Sequence, residues 1–331
     1  MIRMRHATVM LNYNGTDITL ELDKRTDKFT YNDPESGSSD DISLSVIDPD
    51  ERWIKEHFPS LEDKIGAKIK VSDWAGPGDN RLLNCGNFVI DDPSFSGPPC
   101  KVSFKAVSKP AEGCFTATKR TQTWENVTIQ NMAQEIAGRS NLMLQYTAGE
   151  VKITSKEQND QVDSEFLKST CEEYGLSLKI YSNRLVIFDR EKYKAAVAVE
   201  TISKRDMIKW SFKKSLAGTY TGGTMKFTDP DTEEEIEATV GDKKRLLSVT
   251  GKADSRADAE RKIKSAVNKA NEDSCTLSLT VFGNPNLVSS LCVNVVGLGV
   301  ADGKYYIKKA SHSIGGGYST SLEMCKVTQS L

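Results

Sequence analysis

The segment ISLSVI at residues 42–47 has apolar side chains at 42, 44 and 46, separated by serines. Successive side chains of a β-strand point to opposite faces, so this alternation is typical of a strand with one buried face. The same pattern recurs around it in Thr16–Leu22, Ala67–Ser72, Arg81–Ile90 and Lys101–Val107. Gly, Pro, Asp and Ser cluster between these segments at 33–39 and 75–80, as in long loops or hairpin tips. Residues 1–110 are therefore predicted to form an antiparallel β-barrel or sandwich.

Helical spacing appears first in the middle of the chain. Apolar residues within 129–137 recur at the positions of a single helix face. A second helix is predicted to begin at Asp163, as its N-cap, and to stop at Gly175. A β-hairpin over 176–188 follows. Residues 111–190 are therefore predicted to be a small mixed α/β domain.

Strand patterns resume in the last part of the chain. They cover Met207–Lys213, Tyr220–Thr228, Thr276–Phe282, Leu291–Val296, Lys304–Ala310 and Ser319–Met324. A helix at 254–272 interrupts them, and its start resembles a capping box with Ser255 and Asp258. Residues 191–331 are therefore predicted to be a second β-barrel with this helix inserted. The fold class is mainly β with α+β insertions, and β regions at both ends suggest two related barrels.

The composition is that of an ordinary globular protein. Of 331 residues, 44 are basic and 46 acidic, which gives a net charge of −2 and no global field for holding nucleic acid. No apolar run approaches the roughly 20 residues of a membrane span. The seven cysteines are widely spaced and contain no C-x-x-C pair, so no zinc or redox site is expected. A soluble protein made in a cytoplasm is predicted, without cofactor or metal.

No catalytic motif stands out in the sequence. The three histidines, His6, His57 and His312, lie far apart and have no acid–base partner nearby in sequence. The acidic run 229–237 is interpreted as a solvated hairpin tip, because Glu234 occupies the position of the glycine that a calcium-binding EF-hand loop requires. The three glycines at 315–317 are interpreted as a tight turn. The chain is therefore predicted not to be an enzyme.

Three stretches together resemble the late control protein D family, the hub proteins of contractile phage tails, which are related to the N-terminal part of VgrG spikes. The first is a helix with a Phe-Leu pair and a glycine stop, the second a helix and strand ending in Gly-x-Pro, and the third a closing hairpin. The matching positions are Phe166, Leu167, Gly175, Gly283, Pro285, Tyr305, His312, Gly317, Tyr318 and Glu323. At Ser290 the family often has a glycine, which leaves the turn geometry there open.

The resemblance implies an architecture rather than a reaction. Each chain would carry two tube-like β-barrels, so that a homotrimer presents six barrels in a ring and adapts a hexameric tail tube protein to a trimeric spike protein. Other baseplate proteins and the tape measure protein are further implied partners. Because no needle domain precedes Leu331, the spike is expected to be a separate polypeptide. The implied location is the baseplate of a virion or phage-tail-like particle assembled in the bacterial cytoplasm.

Two other functions remain open at this point. A cell-wall hydrolase carried in a baseplate is disfavoured by the missing acid–base pair. A receptor-binding or glycan-binding tail module fits the β content, but exposed aromatic residues and a fibre-like repeat would be expected of it, and the chain has four tryptophans.

Overall fold

The computed structural model describes residues 5–19, 25–56, 58–108, 114–228, 233–328 and 331. His57 and the first half of the acidic run, 229–232, lie outside these ranges. The helices are α1 (Arg52–Lys55), α2 (Cys114–Ala117), α3 (Ile129–Arg139), α4 (Asp163–Glu173), α5 (Arg190–Ala195) and α6 (Arg256–Glu272). The strands of the first part are β1 (His6–Tyr13), β2 (Thr16–Asp17), β3 (Thr26–Pro34), β4 (Asp41–Ile47), β5 (Lys64–Ser72), β6 (Arg81–Ser96) and β7 (Lys101–Val107).

The remaining strands follow in the middle and last parts of the chain. The middle part contains β8 (Lys119–Thr128), β9 (Met143–Tyr146), β10 (Lys152–Val162), β11 (Leu176–Tyr181) and β12 (Arg184–Asp189). The last part contains β13 (Glu200–Ser203), β14 (Met207–Lys214), β15 (Gly222–Thr228), β16 (Glu235–Gly241), β17 (Leu246–Val249), β18 (Cys275–Phe282), β19 (Cys292–Val296), β20 (Gly303–Ile314) and β21 (Tyr318–Lys326). The prediction of a mainly β protein with helical insertions is confirmed.

The seven strands of the first part and six strands of the last part form one 13-stranded sheet, while β15, β16 and β17 form a separate one. Its order is β14-β18-β21-β20-β3-β4-β7-β6-β5-β1-β2, with β19 paired to β20 and β13 to β19. The two β regions therefore meet where β20 pairs with β3, antiparallel, with His312 opposite Tyr31. Among the described strands no pairing joins β14 to β1 or β2, so the sheet has two ends.

An internal repeat lies within this sheet. The segments β3-β4-β7-β6 and β14-β18-β21-β20 both consist of four antiparallel neighbours in corresponding order along the chain. A bulge sits at the same place in the first strand of each segment, at Asp27 in β3 and Ile208 in β14. Another sits at the same place in the last strand, at Asp91 in β6 and Lys308 in β20. The two segments therefore share their strand order and the positions of their bulges.

Four larger hydrophobic clusters stabilise the chain. The alternating apolar residues of the first β region, such as Ile42 and Leu44, form one cluster, and those of the last region, such as Leu277 and Leu279, form another. The helices α3 and α4 pack with the middle strands around Phe166. Helix α6 covers the small sheet β16-β15-β17. Each cluster forms because the apolar faces of its strands and helices pack against one another and are removed from water.

The structure corrects several predicted boundaries. The N-cap of α4 is Val162, and Asp163 is instead its first residue, fully buried beside Gln158 and Arg120. A carboxylate at this position interacts favourably with the positive end of the helix, which explains why it resembles a cap in sequence. At α6, Ser255 is the N-cap and accepts a hydrogen bond from the Asp258 N–H at 3.2 Å. The Asp258 carboxylate accepts a hydrogen bond from the Asp254 N–H. In a capping box it would accept from the N–H of the N-cap residue, Ser255.

Eight strands were absent from the prediction, namely β1, β3, β8, β9, β10, β13, β16 and β17. Strands β1 and β3 extend the first β region, and β3 runs to Pro34, inside a segment predicted as a loop. Strands β8 and β10 form a long antiparallel pair in the middle region. Only residues 16–17 of the predicted strand Thr16–Leu22 are a strand among the described residues, and residues 20–24 lie outside them.

Candidate functional site

The junction of the two β regions is centred on His312 of β20. The side chain is completely buried, and its ring stacks on that of Tyr31, with centroids 6.0 Å apart. Its Nε2 lies 3.1 Å from the Leu287 carbonyl, so Nε2 carries the proton and donates it there. Its Nδ1 accepts from the Tyr318 hydroxyl at 2.8 Å. Burial lowers the pKa of His312 to about 4, so the ring is neutral and both nitrogens are engaged in structural bonds.

Gly283 and Tyr318 complete this part of the junction. The Gly283 N–H donates to the Tyr318 carbonyl at 2.9 Å. The Gly283 carbonyl accepts from the Trp74 indole N–H, and the Trp74 and Tyr318 rings lie 5.4 Å apart. A Cβ at Gly283 would lie 2.1 Å from the Tyr318 ring. Glycine is required here because the backbone must approach the face of an aromatic ring.

Gly283→Ala is expected to destabilise the folded chain by about 1–3 kcal/mol, since the added methyl overpacks a buried contact. The measurement is the free energy of unfolding in urea. Gly76→Ala is the matched control, because a Cβ there meets nothing within 4 Å and its φ is not positive. A Gly283→Ala protein as stable as the control would contradict the described contact.

The other residues carried by the resemblance lie in different places. Phe166 and Leu167 are buried in the middle cluster, and Gly175 follows α4 with a φ of +73°. Tyr305 is buried in the last β region and donates to the Ala301 carbonyl at 2.6 Å. Only Gly283, His312 and Tyr318 come together directly. Of the other three positions, Pro285 is buried two residues after Gly283, Gly317 ends the turn that leads into β21, with a φ of +149°, and Glu323 is exposed on β21.

The turn at Ser290, left open by the sequence, takes the left-handed conformation. Its φ is +64°, the region that glycine adopts without strain. The Ser290 N–H donates to the Ile307 carbonyl at 2.9 Å. The serine therefore has the backbone conformation that a glycine would provide.

A second part of the junction is a group of buried charges that the sequence analysis missed. Asp33 and Asp40, in or beside the segment predicted as a loop, both contact Lys179 of β11; the distance from Asp40 Oδ1 to Lys179 Nζ is 3.0 Å. Asp33 also accepts from the backbone N–H and hydroxyl of Ser289, at 2.7 and 2.8 Å. The Tyr31 hydroxyl donates to Asp40 at 2.8 Å. Lys179 thus connects the first β region, the middle region and the last β region.

Arg190 makes a parallel connection. Its Nε donates to Glu35 at 2.7 Å, and its Nη1 lies 3.1 Å from Glu272 at the end of α6. The Ser177 hydroxyl also donates to Glu35 at 2.8 Å, and Lys194 lies 2.7 Å from Glu272. These groups are almost fully buried, and charged groups are stable in such places only when they are paired. No local pattern in the sequence points to these pairs, whose partners lie 78 to 155 residues apart in the chain.

Burial and the neighbouring charges both shift the pKa values of these groups. Burial raises the pKa of Asp40 to about 7, against the attraction of Lys179. Burial also opposes the charged form of Lys179, but the two aspartates outweigh it and raise the lysine pKa. Burial likewise opposes ionisation of Glu272, yet Arg190 and Lys194 lower its pKa overall. The arrangement holds the charged side chains in place between the three regions.

Nowhere in the described ranges do three or more His, Cys, Asp or Glu side chains come together as a metal site would need. None of the helices described above has the length and apolarity to cross a membrane.

Comparison with solved structures defines the class of fold. The prophage MuSo2 43 kDa tail protein from Shewanella oneidensis is similar with a TM-score of 0.73 and 14% identity, over 97% of this chain and 98% of that one. The E. coli c3393 protein, a type VI secretion component with structural similarity to T4 bacteriophage tail proteins gp27 and gp5, has a TM-score of 0.57 and 10% identity, over 92% and 74%. The fold is that of phage tail proteins.

The sequence is similar to that of a phage protein. No family model matches the chain. The probable baseplate hub protein of Escherichia phage 186 is 24% identical over 235 residues, which are 68% of this chain and 58% of that protein. The chain therefore spans less than two thirds of the length of this curated relative. The chain is therefore similar in sequence to a baseplate hub protein and similar in fold to phage tail proteins.

Proposed function

We propose that this chain is the structural hub of a contractile tail baseplate, in a phage or a phage-tail-like particle, and that it acts as a homotrimer. The internal repeat of the large sheet carries the proposal. Three chains with two similar β regions each offer six similar units, which is the number needed to match a sixfold tube. A trimeric spike protein would dock on the opposite side of the ring, where three equivalent sites are presented.

Each β region acts as a tube-like barrel in this proposal, with residues 1–110 and 191–331 flanking a mixed domain of 111–190. The buried charges at the junction support a rigid arrangement, because Lys179 and Arg190 each connect segments from distant parts of the chain. Rigidity suits a part that stays aligned while a tail contracts around it. The tape measure protein and other baseplate proteins are further proposed partners.

A structural rather than catalytic role is also proposed. The named relatives are tail and baseplate proteins, which supports it. His312 is neutral, buried and bonded through both ring nitrogens, so it is poorly suited to general acid–base catalysis. No specific observation in the described residues favours the hydrolase or the glycan-binding alternative.

Imaging of intact particles along the tail axis tests the proposed function. The expected result is three copies of this chain between the tube and the spike, with six β regions in register with the last hexameric ring of the tube. Six copies with one β region each facing the tube, or a position on the sheath or the fibres, would rule the adaptor out.

A further inference from the structure

The outer strands of the two repeats in the large sheet differ in their pairing. The last strand of the second repeat, β20, pairs with the first strand of the first repeat, β3. The corresponding last strand of the first repeat is β6, and the corresponding first strand of the second repeat is β14. The segment 91–96 of β6 pairs with β7 on one side, and no described strand pairs with its other side. Strand β14 likewise pairs only with β18 among the described strands.

Side chains at corresponding positions are buried at the paired edges and exposed at these two open edges. Counting from the shared bulges, His312 corresponds to Phe95, and Phe29 corresponds to Trp210. His312 and Phe29 are both 0% exposed, because each lies where two β regions meet. Phe95 is 62% exposed and Trp210 is 47% exposed. Large apolar side chains are therefore uncovered at the positions that the first junction buries.

We infer that the open edge of β14 in one copy pairs antiparallel with residues 91–96 of β6 in a second copy of this chain. The inference rests on the proposed homotrimer and adds the interface that closes it. The junction within the chain supplies the register: His312 lies opposite Tyr31, and the residue that corresponds to Tyr31 is Phe212. Phe95 of one copy then lies opposite Phe212 of the next, and the two rings stack as His312 and Tyr31 do.

The charges of the two edges favour this partner. Strand β14 carries Lys209, Lys213 and Lys214, while the β6 segment begins with Asp91 and Asp92. In the inferred register Lys213 lies opposite Ser94, which places Asp92 diagonally within its reach. Lysines on an open edge also discourage pairing with unrelated strands, so the edge selects an acidic partner.

The geometry of this contact leads to closed rings. The two edges are different surfaces, so the contact is head-to-tail, and each copy keeps one free edge until the ring is complete. The contact between two copies has the same geometry as the contact between β20 and β3 within one copy. A closed assembly leaves neither edge open to aggregation.

The first test measures the mass of the purified full-length chain in solution. The wild type is expected to be a trimer, and Phe95→Lys is expected to be a folded monomer, because its charge would be buried beside Lys214 without an acidic partner. Leu82→Lys is the control, since Leu82 lies on the same strand, is 57% exposed and already faces a partner in β5. A trimer in Phe95→Lys overturns the inferred interface and leaves the homotrimer standing. A monomeric wild type overturns both.

The second test reads the register. Phe95→Cys combined with Phe212→Cys, in a Cys100→Ser background, is expected to form disulfide-linked trimers on mild oxidation. Directly opposed residues have Cα atoms about 4.5–5.5 Å apart, which a disulfide can bridge. Phe95→Cys with Lys214→Cys is the control pair, two residues out of register and beyond that reach. Equal cross-linking in the two pairs, or none in either, overturns the inferred pairing.

Discussion

Lys179→Met is expected to destabilise the folded chain by about 3–5 kcal/mol, because it leaves two carboxylates buried without their cation. Asp33 and Asp40 both contact the lysine, and the Asp40 side chain has no exposed surface. Methionine has a similar length and is apolar, so the change removes the charge with little loss of packing. The measurement is the urea midpoint and slope of unfolding at neutral pH.

The control for this variant is an ion pair on the surface. Lys55 lies 2.8 Å from Glu51 one helical turn away, and both side chains are more than half exposed. Lys55→Met is expected to leave the midpoint of unfolding unchanged within error, since exposed pairs contribute little. If Lys179→Met behaves like Lys55→Met, the buried charges do not hold the three regions together.

The cost of Lys179→Met should also depend on pH. The folded-state pKa of Asp40, about 7, lies above its value in an unfolded chain, so the folded state binds more protons and its stability falls as pH rises towards 7. Removing the lysine raises that pKa further, which extends the loss to higher pH. The difference between wild type and variant is therefore expected to be smaller at pH 5 than at pH 8. The titration of His312 is common to both proteins and cancels in this difference.

The elements that the sequence predicted well are those with a strong local pattern. Strand β4 and strand β7 alternate without interruption, and α3 and α6 each carry one apolar stripe. The hairpin of β11 and β12 has a two-residue turn at Ser182-Asn183, where both residues have positive φ. Periodicity and turn chemistry are local properties, so a single sequence contains them.

The junction depends on properties that are not local. Strand β3 alternates only weakly and ends in the Asp-Pro that suggested a loop, and its partner β20 begins 269 residues after Pro34. Strand β10 is polar on both faces, so alternation cannot reveal it. Alternation predicts which face of a strand is buried but not which strand lies beside it. The pairing of β20 with β3, and with it the role of His312, appears only in the folded chain.

The buried charges illustrate the same limit more sharply. Runs of charged and turn-forming residues are usually solvated, so Asp33 and Glu35 were predicted to lie in a loop, with Asp40 directly after it. Their partners come from β11, α5 and α6, each in another part of the chain. A buried charge becomes recognisable only when its partner is known, because burial without the partner would be unstable. The family positions carried by the resemblance did not include any of these groups.

Phe166→Ala is expected to destabilise the chain by about 3–5 kcal/mol, the usual cost of removing a buried phenyl ring and leaving a cavity. Phe166 is 1% exposed on α4, and its ring stacks on Trp124 with centroids 6.3 Å apart. Helix α4 contacts β10, β11 and the helices α2, α3 and α6, so the cavity cannot close by the movement of one side chain. The measurement is the free energy of unfolding, together with the near-ultraviolet circular dichroism of Trp124, which loses its stacking partner.

Phe282→Ala is the matched control, because it removes the same ring from a side chain that is 62% exposed. It is expected to change the stability by less than about 0.5 kcal/mol. A cost below about 1 kcal/mol for Phe166→Ala would mean that α4 presents another face to the middle cluster.

The helix also positions the strand that carries Lys179, since Gly175 turns the chain from α4 directly into β11. Loss of packing at Phe166 should therefore weaken the junction as well, and a Phe166→Ala, Lys179→Met double variant is expected to lose less stability than the sum of the two single changes.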